Sequence, residues 1–274
     1  MIKKDAIAPV SVVIPCFRCG KTIRRALTSI VQQSKVPAEI ILVDDASGDD
    51  TWSELTELAN AYPGWIKLLR FEENQGAASA RNAGWAAATQ AYVAFLDADD
   101  SWNTEKLHVQ YAYMRDNPEV SLCGHRCVLL QDEEALPVLQ ERFHSTKINA
   151  TSLLFRNAFF TPSVMLKRDI RHRFQKRKRF AEDFLLWQQI AFSGLNVVRI
   201  ESPLAYIHKS PYGAGGLSAQ LWRMETGELG NFVTLYRAGS INTPLYVAAS
   251  LFSMIKFVRR LLLARLSGLS KMWS

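Results

Sequence analysis

The chain has 274 residues, 48% of them hydrophobic, with a formal net charge of +7. A chain of that length buries a real core without cross-links, which removes the need for a disulfide scaffold. No run reaches the roughly eighteen uncharged apolar residues of an ordinary membrane-spanning helix. Asp5 and Pro9 interrupt the N-terminal MIKKDAIAPVSVVIP, so no export signal is expected there. The charge is local. Eight Lys/Arg face one acid between Lys167 and Arg179, five lie beyond Leu251 with no acid among them, and the rest of the chain is net negative. The cysteines form a CxxC (Cys16, Cys19) and a CxxxC (Cys123, Cys127), open to a zinc reading or to reduced thiols of a cytosolic protein, the latter favoured because Cys16 ends an apolar run.

In chain order, Val10–Ile14 reads as a β-branched strand and 21–30 as a helix with Ile23, Ala26, Leu27 and Ile30 on one face. Glu39–Val43 is a second strand, Thr51–Ala61 a helix, Ile66–Phe71 a third strand, Ala77–Gln90 an alanine-rich helix and Tyr92–Leu96 a fourth strand. Strands alternating with helices at this spacing predict a parallel sheet covered on both faces. After Asp100 the pattern weakens. Trp102–Met114 reads as a helix, 120–130 as a strand, 148–155 and 163–166 as strand or helix, Ala181–Phe192 as a helix, HKSPYGAGGLSAQ as a loop, and the chain from Gln220 on as helical.

In doubly covered sheets ligands bind beyond the carboxyl ends of the strands. Pro15, Asp44, Asp45, Asp97, Asp99 and Asp100 all fall there. Three acids within LDADD repel one another unless a cation sits nearby, and oxygen donors at that density suit Mg²⁺ or Mn²⁺ better than zinc. An EF-hand does not fit, because neither LDADDSWN nor VDDASGDD puts a glycine at the sixth loop position counted from its first acid, and both follow strands. Capping of the following helices is the plainer use of such acids. In NQGAASARNAG a glycine opens a helix and Arg81 follows one turn later, so a helix amino terminus and a guanidinium could both address phosphate.

Five blocks, VSVVIPCF at 10–17, ILVDDASGDDT at 41–51, NQGAASARNAG at 74–84, FLDADD at 95–100 and AEDFLLWQQI at 181–190, occur in an order and at separations that resemble the family 2 glycosyltransferases of the GT-A fold, of bacterial cell-surface glycan type. The resemblance covers about residues 8 to 210. It implies an α/β GT-A fold, a Rossmann-like, mostly parallel sheet flanked by helices and followed by C-terminal amphipathic helices. The expected division is a nucleotide-sugar-binding half at 1–100, an acceptor-binding and catalytic-base half at 101–210, and a loop with basic amphipathic helices at 211–274.

The resemblance also implies roles. Pro15, Asp44 and Asp45 line the pocket for nucleobase and ribose, Arg81 reaches the base or phosphates, and Asp97 lies near the ribose. Asp99 with Asp97 holds Mn²⁺ or Mg²⁺, and His208 touches the metal or diphosphate or is a structural histidine. Asp183 is the base that takes a proton from the acceptor hydroxyl in an inverting hexosyl transfer, with Glu182 orienting the acceptor. Cys16 and Cys19 stand where many relatives carry Tyr or Asn, which leaves base contacts there open.

The donor is expected to be a nucleotide-sugar, UDP-sugar by family frequency, and the acceptor a lipid-linked or cell-surface glycan precursor. The basic run 171–180 is either solvated or meets acceptor phosphates or an anionic bilayer; no nucleic-acid partner is expected. From Leu245 on, Phe252, Ile255, Val258, Leu262 and Leu266 recur at helical spacing among basic residues, the composition of an interfacial helix. Packing against the domain, or against a second copy in a homodimer, is the competing use. The expected location is cytoplasmic, peripheral on the inner face of the membrane. A nucleotidyltransferase of similar topology lacks support, since PCFRCGKT is not a glycine- and basic-rich phosphate loop; a catalytically inactive membrane-bound adaptor would have no need to keep Asp97, Asp99 and Asp183.

Overall fold

A computed structural model of the chain describes residues 6–130, 143–208 and 220–270, with side chains as far as residue 262. Strand β1 (Ile7–Cys16) leads through helix α1 (Ile23–Val31) to β2 (Val36–Asp44), then through α2 (Thr51–Ala61) to β3 (Ile66–Arg70) and through α3 (Ala77–Ala87) to β4 (Tyr92–Phe95). These four strands are parallel, and the sheet runs β3-β2-β1-β4. The chain steps outward from β1 to β3 and then returns to the other side of β1. The switch point therefore lies between the carboxyl ends of β1 and β4, where open α/β sheets bind ligands.

Continuous apolar strands are buried on both faces. Val12, Ile14, Ile40 and Leu42 pack with Ile23, Leu27, Ile30 and Leu55 on one side, while Val13, Ile41 and Phe95 pack with Trp85, Phe174 and Trp187 on the other. Gly84 lets α3 lie directly on β1; a Cβ there would meet Val13 Cγ1 at 2.3 Å.

The second half of the sheet is mixed. β5 (Ser101–Trp102), α4 (Lys106–Asp116), β6 (Val120–Leu129), β7 (Ser145–Lys147), α5 (Ser152–Phe155), β8 (Met165–Lys167), α6 (Glu182–Phe192) and β9 (Asn196–Ile207) continue the order as β4-β8-β6-β9-β5, with β7 on β9. β8 is antiparallel to both β4 and β6, and β5 and β7 are antiparallel to β9. The helix expected from Trp102 begins only at Lys106: Ser101 and Trp102 pair with Tyr206 and Ala205, and Asn103 Oδ1 accepts the Glu105 N–H at 3.0 Å. The stretch 163–166 resolves into a 3-10 turn, Thr161–Ser163, running into β8.

Helix α7 (Leu221–Arg237) packs on α6, and α8 (Thr243–Ser270) on α7 and α5, through Leu154, Leu185, Phe232, Leu235 and Ala249. Among the described residues no helix is long and apolar enough to cross a membrane. Most of the loop 208–220 lies outside the described residues. So does the side chain of Leu266.

Candidate active site

The acidic run at the end of β4 is a turn closed by the Asp100 N–H on the Asp97 carbonyl at 3.0 Å. Carboxylate oxygens of Asp97, Asp99 and Asp100 lie within 4.8 Å of one another. Three hard oxygen donors at that separation fit a divalent cation of the Mg²⁺ or Mn²⁺ kind. Asp100 is buried and its Oδ1 accepts the His208 N–H at 3.3 Å, while His208 Nε2 lies 2.7 Å from Ser101 Oγ. His208 thus stands beside the acidic turn.

A cavity of about 780 Å³ opens at the switch point. Pro15, Asp45, Arg81, Asp97, Asp99, Glu182 and Asp183 line it, which brings together seven residues singled out in the sequence. Asp44 and His208 are not on that wall. Asp44 is fully buried; its Oδ1 accepts both the hydroxyl and the N–H of Ser47, and Arg70 lies 3.3 Å from its Oδ2. Asp45 faces the cavity while its carboxylate accepts the N–H groups of Gln75 and Gly76 at 2.7 and 2.8 Å and the Asn74 amide at 2.9 Å. It ties the end of β2 to the turn that opens α3, where Gly76 adopts φ +86°.

Arg81, buried in α3, bridges the two acidic groups: Nη2 donates to Asp97 at 2.7 Å and Nη1 to Glu182 at 3.1 Å, with the guanidinium 5.4 Å from the Phe174 ring centre. Burial opposes its charge, but Asp97 and Glu182 more than offset this and hold its pKa above the ordinary value. Asp183 opens α6 after Ala181, which takes a left-handed φ of 53°. Its Oδ1 accepts the Phe184 N–H at 2.7 Å and its Oδ2 the Thr161 hydroxyl at 3.1 Å. Burial, and then the charge of Glu182, push its carboxyl up to about 6 against the pull of Arg81 and these two bonds. A carboxylate poised near 6 is mostly ionised at neutral pH yet basic enough to take a proton.

A second cavity, of about 710 Å³, lies against the first and shares Asp97, Thr161, Ala181, Asp183 and Met224 with it. Sequence reading missed Thr161, which holds Asp183 from a region without periodicity, and Met224 of α7, which lines both cavities. The basic run is not one surface. Arg179 lines the first cavity, Arg173 stacks 4.0 Å from the Trp85 ring centre, and Lys178 donates to the Gly227 carbonyl at 3.2 Å. The four cysteines are free thiols, and among the described residues they form no metal cluster.

Residues 11–176 match the profile of Glycosyl transferase family 2. An uncharacterized glycosyltransferase of Nostoc sp. is 43% identical over 98 residues, 36% of this chain and 30% of that one, so the match spans about a third of that relative's length. UDP-Glc:alpha-D-GlcNAc-diphosphoundecaprenol beta-1,3-glucosyltransferase WfgD of Escherichia coli is 29% identical over 181 residues, 66% of this chain and 69% of that one. Among solved structures, the mannosyltransferase PcManGT of Pyrobaculum calidifontis in complex with GDP-Man and Mn²⁺ superposes with a TM-score of 0.67 at 21% identity, over 94% of this chain and 75% of that one. At that identity the likeness establishes a shared fold.

Proposed function

The chain belongs to glycosyl transferase family 2, and on that footing we propose that it moves one hexose, with inversion, from a UDP-sugar to a hydroxyl of a lipid-linked glycan precursor. The observation that carries the reading is Asp183, a carboxylate poised near 6 on the wall common to two cavities. One cavity then takes the donor and the other the acceptor.

In the donor cavity Pro15 and Asp45 bound the nucleoside end, at the switch point where the fold class binds nucleotides. Asp97 and Asp99 would hold a divalent cation, with Asp100 and His208 behind them; when bound, that cation neutralises the diphosphate and its departure. Arg81 keeps Asp97 and Glu182 in fixed relation, so one side chain ties the acidic turn to the start of the helix that carries the base, Asp183. Asp183 then takes the proton of the acceptor hydroxyl as that oxygen bonds to the anomeric carbon, and the bond from that carbon to the nucleoside diphosphate breaks on the opposite face. The Thr161 hydroxyl and the Phe184 N–H hold the Asp183 carboxylate in place for this. The reading includes a peripheral position on the inner membrane face, which the exposed apolar residues of α8 together with its basic residues support.

Thermal unfolding with Mn²⁺ against UDP, GDP, CDP and dTDP tests the donor half. A ligand bound only by the folded state raises the midpoint with its occupancy, so UDP is expected to give the largest shift and Asp99→Ala to abolish it. No shift with any nucleotide would overturn the reading.

A further inference from the structure

The second cavity has an acidic wall and a basic one. Asp97, Asp100 and Asp183 form the first; Arg156, just past α5, and Lys256, Arg259 and Arg260 of α8 form the second. Two of the four cations are engaged. Lys256 Nζ donates to Glu228 at 2.8 Å and to the Phe155 carbonyl at 3.2 Å, and Arg260 Nη2 donates at 2.7 Å to Glu225, a buried carboxylate that also accepts the Ser253 hydroxyl. These bonds fasten α8 to α7 and so fix the basic wall. Arg156 and Arg259 are exposed, and neither guanidinium has a partner among the described residues.

Between the walls the surface is apolar. Phe160 is 61% exposed and precedes Thr161, whose hydroxyl bonds Asp183, so an aromatic face stands next to the candidate base. Beyond the basic wall, Val247, Leu251, Met254, Ile255, Val258 and Leu262 recur at helical spacing along one side of α8, each at least 36% exposed, and Arg259 borders that stripe.

We infer that this cavity is an acceptor subsite for a sugar carried on a lipid diphosphate. The sugar lies on Phe160 with its hydroxyl at Asp183, the diphosphate between Arg156 and Arg259, and the lipid along the stripe of α8. The inference rests on the transferase reading for the role of Asp183. Its own ground is the order of the chemistry: acid, aromatic face, unpaired guanidiniums and exposed apolar helix follow one another as hydroxyl, ring, diphosphate and hydrocarbon do along such a molecule. Guanidiniums take phosphate oxygens in pairs. A phosphate-free glycan would leave both cations and the apolar stripe without a counterpart, and a nucleic acid would need neither the concavity nor the stripe.

The test is calorimetric binding to the whole chain. UDP is titrated first, and the UDP-saturated protein is then titrated with farnesyl diphosphate, farnesol or inorganic pyrophosphate. Farnesyl diphosphate is expected to bind more tightly than either fragment, and the double substitution Arg156→Ala/Arg259→Ala to weaken it by roughly tenfold or more while UDP binding is unchanged. Both residues are exposed, so the variant retains the fold. Farnesyl diphosphate binding that survives the double substitution overturns the subsite, and pyrophosphate binding as tight as farnesyl diphosphate overturns the lipid-borne ligand in favour of free phosphate. Arginine-dependent binding of farnesyl diphosphate by a protein that binds no UDP would instead overturn the transferase reading and leave the subsite standing.

Discussion

Replacing Asp183 by asparagine should make the protein more stable and nearly inactive. Asparagine keeps the shape of the side chain and can keep its bonds: its Oδ1 accepts from the Phe184 N–H, and its amide donates to the Thr161 oxygen. What it removes is the charge. A carboxyl lifted from 3.8 to about 6 on folding costs the folded state at most about 3 kcal/mol at neutral pH. Water reaches part of the side chain, so the gain we expect is about 1–2 kcal/mol, or roughly 2–6 °C in midpoint for a chain of this size. The sign follows from linkage. Between pH 3.8 and about 6 the folded state binds more protons at this site than the unfolded one, so the wild type loses stability as pH rises through that window and remains penalised above it. The variant's advantage should therefore be full at pH 7.5 and shrink to about a third of that at pH 4.5. Transfer of labelled sugar from the nucleotide-sugar donor to the acceptor should meanwhile fall by about 10²–10⁴-fold, the span of a lost general base. Differential scanning fluorimetry at the two pH values and the transfer assay decide the matter. A variant no more stable than wild type at pH 7.5 refutes the electrostatic reading, and one that still transfers sugar refutes the base.

Two further substitutions probe other parts of the molecule. Lys106 is fully buried, its Nζ lies 3.7 Å from the Trp102 ring centre without a hydrogen-bond partner among the described residues, and burial pushes its pKa well below the ordinary value. Lys106→Met should stabilise the protein by about 1–3 kcal/mol at pH 7, with the gap closing as pH rises toward 10.5, where the unfolded lysine also loses its proton; urea unfolding at both ends of that range checks it, and a constant gap would refute it. Ile255 is 66% exposed on α8, so Ile255→Glu should leave the midpoint nearly unchanged and cut sedimentation with anionic vesicles by roughly tenfold or more; undiminished sedimentation would rule out the stripe as a lipid-facing surface.

The parallel half of the fold was legible because β1, β2 and β4 are buried on both faces and so read as apolar runs, and helix-period segments separate its strands. The mixed half was not. β5, β7 and β8 are two or three residues long, too short for any period to register, and the pairing that defines them comes from β4, β6 and β9. Trp102 shows the difficulty: its apolar ring suits a helix face as well as a strand, and only the pairing of Ser101 with Tyr206 decides between them. At the site, residue type was readable and direction was not. Asp44 and Asp45 are chemically equivalent in the sequence, yet the register that sets Cys16 opposite Asp44 carries Asp44 into Ser47 and Arg70 and leaves Asp45 on the cavity wall.

Several costs are concentrated on the seam between the two cavities. Ala181 is left-handed without being glycine, Asp183 is an acid whose charge the fold disfavours, and Arg81 is buried with its Nε unpaired among the described residues. Each would relax if the start of α6 could move, and the surrounding contacts prevent that. Buried Asn231 of α7 donates to the Ala181 carbonyl at 2.9 Å, and Gly227 lies so close to the chain before it that a Cβ would stand 2.8 Å from the Phe180 carbonyl oxygen. Phe184, Leu186 and Trp187 anchor the same helix from the core side. The apolar clusters thus hold in register a group of charges that would otherwise separate, and they do so where two cavities meet on a single carboxylate. A site that served only to cap a helix would need none of this, since an exposed first turn tolerates acids at no cost.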